Sequence, residues 1–163
     1  VRILFVCSGN TCRSPMAEAL FRDLWEREER PVPLTVGSAG LAAVPGEKAS
    51  SHARKLLAER GIDLESHRSR LLQEDLVKET ELILVMTRLQ RNLLLDRFPE
   101  ARGKVHLLKE YAGMEDGEPD ISDPFGGDLE KYRRTLEEIE AILPKVLANI
   151  LNEGGRQDES SSR

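Results

Sequence analysis

The chain has 163 residues, of which 33% are charged and 39% hydrophobic, and carries a formal net charge of −5. That length suits one domain with a real core. Interspersed charge of acidic balance argues against nucleic acid, which needs a basic face, and no apolar run approaches the ~20 residues that span a bilayer.

Arg2-Ile3-Leu4-Phe5-Val6 is apolar and β-prone, and predicts a first strand. The chain opens inside it, so no signal peptide is expected. A polar loop, Cys7 to Ser14, follows. Ser14 as N-cap and Pro15 as first helical residue predict a helix running to about Glu28. Met16, Ala17, Leu20, Phe21, Leu24 and Trp25 share its inner face. Pro31 and Pro33 end this unit.

Leu34-Thr35-Val36 reads as a second strand closed by Gly37-Ser38-Ala39-Gly40, and a helix over about 51–60 ends at Gly61. Residues 73–78 suggest a short helix. Leu82 to Met86 is the most apolar run and suits a strand covered on both faces. Thr87 caps a helix over about 88–97, and 105–108 form a weaker fourth strand. The loop from about 110 to 127 is long enough to be functional. A last helix runs from Asp128 or Leu129 to about Asn152, bent at Pro144. Alternating strands and helices predict an α/β fold, a Rossmann-like three-layer α/β/α sandwich around a four-stranded parallel sheet. The domain spans 1–152, and residues 153–163 read as a polar disordered tail. Ligands in such folds bind beyond the carboxyl ends of the strands, where the 7–14 loop lies.

A strand, a tight polar loop and a helix N-terminus together make an anion cradle. Arg13 can clamp a phosphate through two parallel N–H donors. The helix dipole, the loop amides and Arg13 favour the thiolate of Cys7, a nucleophile for phosphoryl transfer. Ser14 can donate to that thiolate. Gly9 permits a left-handed turn and close ligand approach, and Asn10 can adopt the same conformation. Ser8, Thr11 and Cys12 complete the loop. A Walker A loop is excluded because no Gly-Lys-Ser/Thr is present. Two cysteines and three scattered histidines give no metal site and imply no cofactor. Both cysteines lie in the loop, which fits a reducing cytoplasm rather than a disulfide framework.

The run Val6 to Glu18, with Gly37-Ser38-Ala39-Gly40, Ser66-His67-Arg68 and Asp123-Pro124, resembles the low-molecular-weight protein-tyrosine phosphatase family. The resemblance covers the chain to about residue 152. It implies Cys7 as nucleophile, Arg13 as phosphate clamp and Asp123 as general acid, with Asn10, Ser38 and His67 bracing the loop alongside Ser14. Chemistry alone gives Asp123 a modest lead over Glu115, Asp116, Glu118, Asp120 and Asp128, through the stiffening Pro124 and a pocket wall at Phe125. Ser38 and His67, read alone, are ordinary loop residues.

Two departures bear on the substrate. Position 11 is Thr, where tyrosine-specific members carry a bulky apolar residue, and Phe125-Gly126-Gly127 follows Asp123-Pro124 in place of two aromatics. Both resemble the protein-arginine phosphatase branch. Phosphoarginine presents N–H donors that the Thr11 hydroxyl and the Asp123 carboxylate can accept, and Phe125 offers a stacking face. The expected activity is hydrolysis of the P–N bond in phosphorylated proteins through a phosphocysteine, by a monomer that binds neither nucleic acid nor membrane. The alternatives are a tyrosine phosphatase and, further off, a non-enzymatic phosphate-binding module. Arsenate reduction needs relay cysteines that the chain lacks. Cys12 has two readings, packing beneath the loop or a reversible disulfide with Cys7 that makes the enzyme redox-sensitive.

Overall fold

The computed structural model describes residues 1–28 and 33–161, with side chains as far as 153. Pro31 lies outside the described residues. The strands are β1 (Arg2–Cys7), β2 (Thr35–Gly40), β3 (Leu82–Val85) and β4 (Val105–Leu107), and the helices α1 (Arg13–Arg27), α2 (Ser51–Glu59), α3 (Glu74–Glu79), α4 (Arg88–Arg97), α5 (Leu108–Tyr111) and α6 (Leu129–Ser161). All three strand pairings are parallel, in the order β2-β1-β3-β4. Strand order reverses at β1, so its carboxyl end, at Cys7, opens at the position where ligands of open α/β sheets sit.

Period-two alternation along β1 sends its side chains to two cores. Ile3 and Phe5 join α1, α2, α5 and α6 on one face, where the Phe5 and Phe21 rings meet at 5.6 Å. Leu4 and Val6 join Val77 of α3, Leu94 of α4 and the β4 residues Val105 and Leu107 on the other. Covering on both faces explains why β1 and β3 read as unbroken apolar runs.

Several boundaries differ from the sequence expectation. The first helix begins at Arg13, one residue before the predicted cap, with Cys12 at its N-cap and no side-chain cap bond. Ser14 does not cap because its hydroxyl is engaged by Cys7 and Asn10. The second strand runs on to Gly40, since its last residues pair with Val6 and Cys7 and bridge to Leu71. Leu108, expected in β4, opens the one-turn α5 instead. The last helix continues past Asn152 to Ser161. Gly154 and Gly155 each lower helix propensity by only about 1 kcal/mol relative to Ala, which is no stop signal by itself.

The free edge of β2 is covered by two guanidinium groups. Arg22 of α1 donates to Val36 O at 2.6 Å, and Arg70 donates to Ser38 O at 2.8 Å. Gly37 makes room between them: a Cβ there would stand 2.6 Å from Arg70 Nη2. Capped carbonyls give another strand nothing to pair with.

Candidate active site

The loop after β1 is held from outside by its carbonyls. Cys7 O accepts from Leu41 N, Ser8 O from Ala42 N, Thr11 O from Ser50 N and Cys12 O from Met16 N, at 2.9–3.2 Å. Asn10 O bonds His67 Nε2 at 2.8 Å. A trans peptide unit is planar and its N–H points opposite to its C=O. Carbonyls tied outward therefore turn the amides of Ser8, Gly9, Thr11, Cys12 and Arg13 toward the interior of the loop. This is a ring of donors at a helix N-terminus, built for an anion.

Asn10 is fully buried and is the left-handed residue of the loop, with φ 58°. Gly9 is not among the residues of positive φ, which corrects the expectation that it makes this turn. Asn10 Oδ1 accepts from the Arg70 amide at 3.0 Å, which fixes the orientation of its side chain. Its Nδ2 then donates to Ser14 Oγ at 2.8 Å and Ser38 Oγ at 2.9 Å. Ser38 Oγ donates its hydrogen to Glu18 Oε1 at 2.5 Å. Ser14, already accepting from Asn10, is left with its proton for Cys7 Sγ, 2.8 Å away. The Asn10 amide adds a second donor to that sulfur at 3.3 Å. Cys7 itself is buried at the end of β1.

Arg13 is buried, and its Nη1 donates to Ile121 O at 2.8 Å. Its Nη2 stands 3.6 Å from Asp123 Oδ2, whose side chain is half exposed. The loop that carries Asp123 is pinned to the sheet by Ile121 N donating to Met86 O. Asp123 Oδ1 accepts from Phe125 N, and Gly127 N donates to Pro124 O. Pro124 to Gly127 is a turn with Gly126 at φ 78° in its third position, which only glycine takes easily. A Cβ on Gly127 would stand 2.9 Å from Pro124 O and 2.5 Å from Lys131 Cδ. This turn cannot readily carry a second aromatic after Phe125, which projects 73% exposed.

Thus Cys7, Arg13, Asp123 and the brace Asn10–Ser14–Ser38–His67 come together around one loop. Phe125 lies on the adjoining turn and points into solvent. Thr11 is half-buried, with Oγ1 3.7 Å from Cys12 Sγ. Cys12 is a free, buried thiol 3.1 Å from Tyr132 Oη. Burial first, and the bond to Cys12 second, push the Tyr132 hydroxyl up to about 12.

Sequence reasoning missed four contributors. Gly40 lets β2 pack on the loop: a Cβ there would meet Ser8 O at 2.6 Å. Gln90 accepts from the Met86 and Thr87 amides and donates to Ser8 Oγ, tying α4 to the loop. Glu18 closes the brace. Tyr132 lies four residues before Leu136 on the buried stripe of α6, a periodicity that could have found it. Among the described residues no group of three His, Cys, Asp or Glu is disposed to hold a metal ion.

Known proteins match nearly the whole chain. A protein-arginine-phosphatase of Bacillus subtilis (strain 168) is 45% identical over 148 residues, covering 91% of this chain and 95% of the relative. One from Geobacillus stearothermophilus is 41% identical over 153 residues, covering 93% and 97%. A solved structure of a YwlE arginine phosphatase mutant with a phosphorylated active-site serine superposes with a TM-score of 0.86 at 42% identity, over 96% of this chain and 99% of that one. Residues 2–156 match the family described as low molecular weight phosphotyrosine protein phosphatase. With the thiol, the donor ring and the facing carboxylate on one loop system, and with these relatives, the chain belongs to the low molecular weight phosphotyrosine protein phosphatase family.

Proposed function

We propose that this protein is a protein-arginine phosphatase that hydrolyses the P–N bond of phosphoarginine in proteins. The observation that carries the reading is the Asp123 carboxyl group 3.6 Å from the Arg13 guanidinium, which sets a proton donor beside a donor ring that has a buried thiol at its base.

The phosphoryl group lies in the ring with its oxygens on the loop amides and the Arg13 guanidinium. Cys7 thiolate attacks phosphorus as the P–N bond breaks. The departing guanidine is far more basic than a phenolate, so its nitrogen takes the proton of Asp123. Asp123, now a carboxylate, draws a proton from water, whose oxygen attacks the phosphocysteine. Ser14 donates to Cys7 as sulfur leaves. Phosphate and arginine are released, and enzyme and proton count are restored. Thr11 and the Phe125-Gly126-Gly127 turn favour arginine over tyrosine. The relatives named protein-arginine-phosphatase support the same choice. A cytoplasmic setting suits two free thiols. Among the described residues no helix is long and apolar enough to cross a membrane. The enzyme acts as a monomer on phosphorylated proteins, without nucleic acid.

The test is a side-by-side assay on phosphoarginine and phosphotyrosine peptides. The wild type is expected to show the higher kcat/KM on phosphoarginine, Cys7→Ser no turnover, and Asp123→Asn a kcat loss of about 10²–10⁴-fold, the range for a general acid. A preference for phosphotyrosine would support the tyrosine phosphatase alternative instead. No turnover of either substrate would leave phosphate binding.

A further inference from the structure

Asp123 must meet the leaving nitrogen on the side of phosphorus away from Cys7, yet little holds its side chain. The carboxyl group is half exposed and accepts from Phe125 N on its own turn, so its place is set by the backbone that carries it. That backbone is fastened just upstream. Lys109 Nζ donates to Glu118 O at 2.7 Å, and Ile121 is bonded through both its N–H and its C=O, to Met86 and Arg13. Between these two anchors stands Asp120, one of the acidic residues that rivals Asp123 in the sequence.

The Asp120 carboxylate is turned to α4. Its Oδ1 accepts from Arg88 N at 2.9 Å and from Arg88 Nε at 3.3 Å, and its Oδ2 accepts from Arg88 Nη2 at 3.4 Å. The Arg88 side chain is 54% exposed, so the ion pair alone contributes little. The Arg88 amide is different. It is the first of α4, where an N–H has no partner within the helix, points in a fixed direction and favours a carboxylate. The start of α4 is itself held by the reciprocal cap of Thr87 and Gln90, and Gln90 Nε2 reaches Ser8 Oγ on the nucleophile loop at 3.2 Å. One helix start therefore fastens both halves of the site, the thiol loop through Gln90 and the acid loop through Asp120. We propose that Asp120 is a positioning residue for the general acid: by bonding the first amide of α4 it sets the distance and direction of Asp123 from the donor ring. This rests on Asp123 as the acid in phosphoarginine hydrolysis.

The experiment measures kcat/KM, which covers the steps through release of the leaving group, on a phosphoarginine peptide and on para-nitrophenyl phosphate. The nitrophenolate is weakly basic and needs an acid far less than a guanidine does. The proteins are wild type, Asp120→Ala, Asp120→Asn, Asp123→Asn and the double variant Asp120→Ala/Asp123→Asn. Asp120→Ala is expected to lose about tenfold or more on phosphoarginine, within the ~100-fold that a 1 Å misplacement can cost, and to lose far less on the nitrophenyl ester. Asp120→Asn keeps an oxygen for the Arg88 amide and is expected to recover most of the loss. In the Asp123→Asn background, Asp120→Ala is expected to cost nothing further, because the group it positions is gone. Equal losses on both substrates, or an undiminished further loss in the Asp123→Asn background, would assign Asp120 to the fold and overturn the positioning role. Full phosphoarginine activity in Asp120→Ala, with Asp123→Asn impaired, overturns the positioning role alone. A wild type that does not turn over phosphoarginine, or an Asp123→Asn variant with full activity on it, overturns the function proposed above and this role with it.

Discussion

Asn10 uses every polar atom of its side chain, its carbonyl and its amide to hold the loop, and does so from a left-handed backbone. Two substitutions separate these contributions. Asn10→Gly and Asn10→Ala both free the Ser14 hydroxyl from its orientation, so both are expected to lower kcat. Only alanine adds the left-handed backbone penalty of about 1–2 kcal/mol, so urea denaturation is expected to find Asn10→Ala less stable than Asn10→Gly by roughly that amount. Equal stability would remove the strain argument. At this scale Cys7, Arg13 and Ser14 were legible as candidates from their placement between a strand and a helix start, because strand, loop and helix are contiguous there. Gly40 and Gln90 were not legible, since each acts on Ser8 through a contact that exists only in the folded chain, and the period of α6 marks Tyr132 as buried without showing its bond to Cys12. Gly9 and Asn10 both read as able to take the left-handed turn; asparagine takes it and gains side-chain bonds in return.

The Pro124–Gly127 turn is the element on which the position of Asp123 depends. A side chain on Gly126 must adopt φ 78°, while the space around it is open. Gly126→Ala is therefore expected to strain this exposed turn by about 1–2 kcal/mol, to lower the melting temperature by only a few degrees, and to lower kcat several-fold. A large drop in melting temperature with unchanged kcat would show that the turn supports the fold rather than the acid. Strand and helix identities in the α/β core were readable because burial on two faces writes apolar runs, and Thr87 with Gln90 forms the reciprocal cap expected at a helix start. The short α5 was not readable, since four residues carry no period. The end of α6 was misplaced because a glycine pair weakens a helix without ending it.

At the scale of the molecule, α6 serves both core and site, and Tyr132 links the two. Its hydroxyl stands at about 12 against an ordinary 10, held neutral by burial first and by Cys12 second. Between those values the unfolded chain gives up a proton that the folded chain keeps. Stability is thus unaffected by this group below pH 10 and falls as pH rises through the window. Thermal melts across it are expected to show that fall, made shallower in Tyr132→Phe; an identical slope in the variant would assign the effect to other groups, among them Tyr111, whose hydroxyl is also raised by burial and Glu153. The donor ring has a further consequence. Its carbonyls are bonded to the protein whether or not an anion is present, so the ring does not form on binding; it is part of the folded state alone and vanishes on unfolding. Reaction product is then also a stabiliser of the fold: inorganic phosphate at a hundredfold excess over its dissociation constant adds about 2.7 kcal/mol. Melting temperature should climb with phosphate in the wild type and stay flat in Arg13→Ala, so that the resistance of the protein to unfolding tracks the phosphate around it.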